Sequence, residues 1–298
     1  MSSQSTRDRI QKVLDGQQHF PFVLVTGPSD IGKREEVMGV VRERLGQYAS
    51  LDLLHIRDLT DQIGKPHTFP VKQPSGENKS YQTSDDITYD NIGAREIRDR
   101  LSRSPHGDTK IVVIENIERA TIAAANALLK HLEEPLPGRY IIATSSSPDD
   151  VLQTLHSRAL TIQVDPADPR DIVSLLVREY GLSQPQAETL TRLSAGKIIR
   201  ARTLAGRDDR QKLIDSFESL QQKIHNQKLI PLIQALKTID QTERPRYRDA
   251  LIQTGIDAGQ YEVVDALTRY EQYRSRNVHA ENSLVQLAMD VVASRDML

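Results

Sequence analysis

The stretch Gly27-Pro28-Ser29-Asp30-Ile31-Gly32-Lys33-Arg34 constrains what this chain can fold into more than any other feature. It follows Phe22-Val23-Leu24-Val25, a short run of strand formers, and it precedes helical periodicity from Lys33 to Leu45. The octapeptide fits GxxxxGK[ST] at every position but the last. In such a loop the glycines let backbone N–H groups curl round an anion, the helix N-terminus adds its positive end, and the lysine reaches the β- and γ-phosphates. Gly27, Gly32 and Lys33 are thus the candidate phosphate-binding residues. A glycine-rich turn that merely starts a helix is the alternative; the strand–loop–helix order favours the phosphate loop.

Strand-like and helix-like segments alternate through the first half. Leu51–Ile56, Ile111–Ile114, Tyr140–Thr144 and Leu160–Val164 read as strands, and the unbroken apolar run of Ile111–Ile114 suits a strand buried on both faces. Thr121 to Glu134 reads as a helix with Ile122, Ala125, Leu128, Leu129 and Leu132 on its apolar side, stopped by Pro135. Such alternation implies a parallel α/β sheet. Residues 57–90 differ, being polar and turn-rich, and read as a surface insertion with room for a small hairpin. After Asp165 the chain turns helical. Asp168-Pro169 is an N-cap followed by a first-turn proline, Gly181 is a stop, Ser183 and Gln186 fit a capping box, and Ala195-Gly196 is a break. At 298 residues, two domains or three small ones are expected. The segmentation is an α/β unit over 1–165, short helices over 166–205 and further helices over 206–298.

Two positions in the phosphate machinery are anomalous. Working P-loop NTPases carry Ser or Thr at the position of Arg34, where the hydroxyl holds Mg²⁺; a guanidinium cannot ligate a cation. After Ile111–Ile114 come Glu115-Asn116, where an Asp for the metal and an acid to polarise water are expected. Glu115 has the reach for a metal, but Asn116 has no carboxylate to take a proton from water. Together they indicate a nucleotide site that no longer hydrolyses, with ATP or ADP, held without hydrolysis, as the only candidate ligand.

The near balance of 39 basic and 41 acidic residues, a net charge of −2, argues against a free-standing binder of DNA or anionic membrane. Arg95, Arg98, Arg100 and Arg103 are interleaved with Glu96 and Asp99, which favours a solvated helix face over a phosphate-facing stripe. With no cysteine, disulfides, Cys-based zinc sites and thiol nucleophiles are excluded; no metal site is expected. No apolar run approaches the roughly 18 residues that span a bilayer, so the expected location is the cytoplasm.

From Lys110 to Val164 the chain closely resembles the clamp-loader subunits of DNA polymerase III, members of the AAA+ family. The resemblance rests on Ile111–Ile114, Glu115-Asn116-Ile117-Glu118, Ala124-Ala125-Asn126-Ala127-Leu128-Leu129-Lys130-His131-Leu132-Glu133-Glu134-Pro135, Ile141–Ser146, Val151–Leu155 and Ser157-Arg158-Ala159. The pattern is most similar to the delta prime type, whose nucleotide site is typically degenerate. Asn277–Leu284 is similar to the start of that family's last collar helix. The resemblance implies an AAA+ P-loop core over 1–165, a small helical lid over 166–205 and a helical collar over 206–298 that joins subunits. It also implies that Arg158, in the family's Ser-Arg-Cys motif with Ser157 before it, reaches the ATP of a neighbouring subunit. A guanidinium supplied in trans stabilises charge on a transferring phosphoryl group. Thr144 takes the sensor-1 position and Arg200 the sensor-2 position. The family's four-cysteine zinc module has no counterpart here.

The resulting expectation is a delta-prime-like, non-hydrolysing AAA+ subunit. It would help a bacterial clamp loader place a sliding clamp on primed DNA, with the other clamp-loader subunits as partners through the collar and no membrane. The alternative is a self-sufficient AAA+ ATPase, such as a helicase loader or branch-migration motor, in which Glu115 substitutes for Asp. A small-molecule P-loop kinase fits poorly with the helical tail.

Overall fold

The computed structural model describes residues 2–18, 20–56, 80–83, 86–89, 94–225, 232, 239, 244–257, 259–260, 264–265 and 267–268. The chain divides into two compact units, 1–167 and 168–298.

In chain order the first unit holds α1 (Ser2–Leu14), β1 (Phe22–Thr26), α2 (Lys33–Leu45), α3 (Ala49–Asp52), β2 (Leu53–Ile56), β3 (Ser80–Thr83), β4 (Asp86–Tyr89), α4 (Ala94–Ser102), β5 (Lys110–Ile114), α5 (Ile122–Glu133), β6 (Arg139–Ser145), α6 (Gln153–His156) and β7 (Leu160–Gln163). The sheet order is β3-β4-β2-β5-β6-β1-β7. The run β2-β5-β6-β1-β7 is parallel throughout, with Val23 beside Ile142 on one side and beside Leu160 on the other.

Strand alternation divides the apolar residues between two cores. Phe22, Leu24, Leu54, Val112, Ile114 and Ile141 face one layer, covered by Ile97 and Leu101 of α4 and Leu128 and Leu132 of α5. Val23, Val25, Leu53, Ile111, Val113 and Ile142 face the other, covered by Ile10 and Val13 of α1 and Val37 and Val41 of α2. Every residue of β1 and β5 is buried, which is why these strands read as continuous apolar runs rather than alternating ones.

One expectation changes. Ile122 was placed on the apolar side of α5, yet it is 69% exposed. It is the first residue of the helix, and helical side chains lean toward the N-terminus, which carries it beyond the covered turn. Within 57–90 the small hairpin is present: β3 and β4 pair antiparallel, and β4 joins β2 in parallel through His55 and Thr88, extending the sheet edge. The rest of 57–90, and Asn277–Leu284, lie outside the described residues, as do the side chains of Arg95 and Glu96. Arg98 pairs with Asp99 at 3.7 Å and Arg100 donates to the Leu51 carbonyl at 3.5 Å.

A fully buried carboxylate locks α3 to the loop before β5. Asp52 accepts the His106 N–H at 2.8 Å, the Gly107 N–H at 2.8 Å and the His106 ring at 3.2 Å, with Lys110 Nζ at 3.8 Å. Burial pushes its carboxyl up, but the backbone N–H groups of Gly107 and His106, the His106 ring and the Lys110 charge outweigh that and hold it below the usual carboxylate range.

The second unit contains α7 (Pro169–Tyr180), α8 (Gln184–Leu193), α9 (Ile198–Ala205), α10 (Arg210–His225) and α11 (Arg244–Asp257). Its boundaries follow the local chemistry. Asp168 accepts the Arg170 N–H at 2.8 Å, Gly181 ends α7 in the left-handed region, and the Ser183 N–H donates to Gln186 Oε1 at 3.0 Å. Ala195 and Gly196 both take positive φ, 52° and 71°, between α8 and α9. The α10 and α11 helices pack on α8 and on each other, with Phe217 edge-on to Tyr247 at 6.0 Å.

Candidate functional site

Parallel α/β sheets place ligands outside the carboxyl ends of their strands, and here the ends of three adjacent strands, β5, β6 and β1, bring the anticipated residues together. The loop 27–32 leaves β1 with Gly27 at φ 146°, Asp30 at 63° and Gly32 at 92°. Glycine is required at 27 by its surroundings as well as its backbone: a Cβ there would fall on the Val164 carbonyl oxygen just past β7. The loop therefore has the curled backbone of an anion cradle.

Lys33, the first residue of α2, is 6% exposed. Its Nζ donates to the carbonyls of Gly27 at 2.7 Å and Pro28 at 2.6 Å and to Ser146 Oγ at 3.1 Å. Those three acceptors match the three N–H donors of an ammonium, so a phosphate has to displace one of them. Ser146 is a link of its own, because its N–H donates to Glu118 Oε1 at 3.0 Å.

The metal-binding half of the site is altered. Arg34 is on the outside of the first turn of α2, its side chain 45% exposed and paired with Glu35 at 3.1 Å. Its charge is thus carried at the surface. Glu115, just past β5, has its Oε1 2.6 Å from His55 Nε2, with the two side chains only 11% and 5% exposed. The other ring nitrogen of His55, Nδ1, is buried and has no hydrogen-bond partner among the described residues. Asn116 takes a left-handed conformation, φ 49° and ψ 60°, and its N–H donates to Thr144 Oγ1 at 3.2 Å. Thr144 is 3% exposed at the end of β6.

With no hydroxyl in the first turn of α2, a neutral amide at 116 and the Glu115 carboxylate engaged by His55, the residues present do not fit the magnesium of a hydrolysing P-loop site. No group of three or more His, Cys, Asp or Glu among the described residues is arranged to hold a metal ion. The His55 contact, the Ser146–Glu118 link and the outward Arg34–Glu35 pair go beyond what the motifs indicate. A lone histidine in the buried strand Leu53–Ile56 was the available signal.

Arg158 is in a different place. Leu160, the first residue of β7, pairs with Val23 near the start of β1, so Arg158 stands at the amino edge of the sheet. The phosphate loop leaves the carboxyl edge. A five-residue strand separates them by about 16 Å. Arg158 Nη2 pairs with Glu133 Oε1 at 2.9 Å, and Nη1 donates to the Thr154 carbonyl at 3.1 Å. Ser157 Oγ donates to that same carbonyl at 3.2 Å. Arg200 is on α9, in the second unit, half-buried.

A family model described as DNA polymerase III, delta subunit, matches residues 40–168. Mouse replication factor C subunit 3 is 27% identical over 191 residues, 61% of this chain and 52% of that protein. Two bacterial DNA polymerase III subunits delta′ also match. That of Escherichia coli is 36% identical over 103 residues, 34% of this chain and 31% of that one; that of Yersinia pestis is 28% identical over 215 residues, 68% and 63%. The chain thus spans less than two thirds of each of these relatives. Among solved structures, a RuvB variant from Thermotoga maritima superposes with a TM-score of 0.50 at 14% identity, over 85% of this chain and 87% of that one, which supports the fold alone. Among the described residues no helix is long and apolar enough to cross a membrane. From α2 to the close of the α/β unit the chain thus matches the model described as DNA polymerase III, delta subunit, and it is similar to delta prime and replication factor C subunits.

Proposed function

We propose that the chain is a delta-prime-like subunit of a replication clamp loader that hydrolyses no ATP itself and offers Arg158 to nucleotide held by a neighbouring ATPase subunit. The observation that carries this reading is the placement of Arg158. It stands at the amino edge of the sheet, across the strands from its own phosphate loop, and an arginine side chain does not span that distance. Its guanidinium has no reach to its own nucleotide, so an anion it serves is brought by another molecule.

The state of the phosphate loop supports the other half. Lys33 is bonded to carbonyls of its own loop, and Glu115 to His55. Neither is poised for a metal–phosphate pair. ATP or ADP entering this loop would be held, not cleaved. The helices beyond residue 205 are the proposed contact with the other subunits, and the sliding clamp and primed DNA are partners of the assembled complex, in the cytoplasm.

The test is an assay of an active clamp-loader ATPase subunit with and without this chain. Co-elution of the two, with a raised ATP turnover, is the expected result. A chain that neither co-elutes with the ATPase nor changes its rate would overturn the assignment.

A further inference from the structure

Arginine carries long, flexible side-chain freedom that a reacting site must first remove. In this chain much of that freedom is already gone. Glu133 Oε1 fixes one terminal nitrogen at 2.9 Å and the Thr154 carbonyl fixes the other at 3.1 Å. Two of the five N–H donors of a guanidinium are used by these contacts, and the side chain keeps 38% exposure.

The position of Glu133 is unusual on helical grounds. It is the last residue of α5, where the helix dipole presents its negative end and a carboxylate is disfavoured. A cation beside it offsets that cost, and Arg158 is that cation. Meanwhile Ser157 Oγ shares the Thr154 carbonyl, and the Arg158 N–H closes on the Leu155 carbonyl at 3.1 Å. The turn that carries the arginine is thereby tied down at both its backbone and its side chain.

We propose that Glu133 is a positioning residue for Arg158: with the Thr154 carbonyl it holds the guanidinium in the orientation in which it meets an anionic phosphoryl group on the neighbouring subunit. This inference rests on the in-trans reading of Arg158 given above. Sites of this kind depend on such supporting contacts, since a misplacement of one ångström costs large factors in rate. The competing role for the same pair is a brake, in which the carboxylate neutralises the arginine and delays its transfer.

The two roles separate in the assembled complex of this chain with an active clamp-loader ATPase. E133A removes the acceptor, while E133Q removes the charge but keeps a carbonyl oxygen that a guanidinium N–H can bond. For positioning, E133A is expected to lower the chain-dependent kcat by about three- to tenfold with the KM for ATP little moved, and E133Q to stay within about twofold of the unmodified chain. Co-elution and thermal unfolding should be unchanged in both, because the pair is exposed. E133A at or above the unmodified rate would overturn positioning and favour the brake. R158A in the same assay keeps the failures apart. No effect of R158A would remove the in-trans reading itself, whereas a loss with R158A and none with E133A would remove only the role of Glu133.

Discussion

Arg158→Ala is expected to lower the ATP turnover of the assembled clamp loader by about tenfold or more while leaving the complex assembled. Where an arginine is supplied in trans to a transferring phosphoryl group it accelerates the step by roughly 10³- to 10⁵-fold; any ATPase site in the assembly not served by Arg158 would dilute the observed loss. Assembly and folding should survive. The Arg158–Glu133 pair has side chains 38% and 52% exposed, and exposed pairs of this kind contribute only about 0–1 kcal/mol. The loss should appear in kcat, because the guanidinium meets charge that develops as the phosphoryl group leaves. Steady-state kinetics on the complex, with elution volume as the control for assembly, reads both quantities. An unchanged kcat would remove the role assigned to Arg158.

The largest effect on stability is expected at Asp52, far from any nucleotide chemistry. Its carboxylate is 0% exposed and accepts two backbone N–H groups and the His106 ring, with Lys110 nearby. Asp52→Asn keeps the shape but turns an NH₂ toward donors and removes the counter-charge to a buried lysine. A cost of about 3 kcal/mol is expected, from leaving buried donors unpaired and a buried charge uncompensated. The pH dependence has a definite sign. The folded-state carboxyl is held below its ordinary value, so its stabilisation is complete above about pH 4 and is lost as pH falls through the folded value. Urea unfolding should therefore show the unmodified chain weakening on acidification in that window and the Asn variant, lower to begin with, changing less. A loss under about 1 kcal/mol near neutral pH would show that Asp52 does not organise the loop before β5.

The parallel sheet was legible because its central strands are buried on both faces: nothing but an apolar run satisfies the surroundings of Ile111–Ile114 or Phe22–Val25. The helices after residue 167 were legible through Asp168, Gly181, Gln186 and Ala195-Gly196, each of which acts on its immediate neighbours. The insertion left room for the hairpin of Ser80–Thr83 and Asp86–Tyr89, but its place at the sheet edge was not legible, since an edge hairpin has no apolar run to announce it and what ties it in is pairing with β2, some thirty residues away. Within the site, the loop 27–33 could be read from glycine spacing together with the strand before it and the helix after it. The engagement of Glu115 could not, because His55 comes within reach only once β2 and β5 are known to be adjacent. Likewise Glu133 and Arg158 meet through the return of α5 to the amino edge of the sheet, a consequence of topology rather than of local pattern. Ile122 shows the converse limit: helical periodicity assigned it to the core face, but periodicity carries no information about where the covering layer stops.

The proposed function requires a chain whose own nucleotide loop performs no catalysis and whose arginine is held at the opposite edge of the sheet. The most direct test of that claim is ATP turnover by the purified chain alone, with magnesium present and absent. Turnover no higher than the no-protein background in both conditions is the result expected from the Glu115–His55 bond and the loss of a metal-binding hydroxyl at Arg34. Steady, magnesium-dependent turnover that disappears with Lys33→Ala would contradict it, and would make this chain an ATPase in its own right.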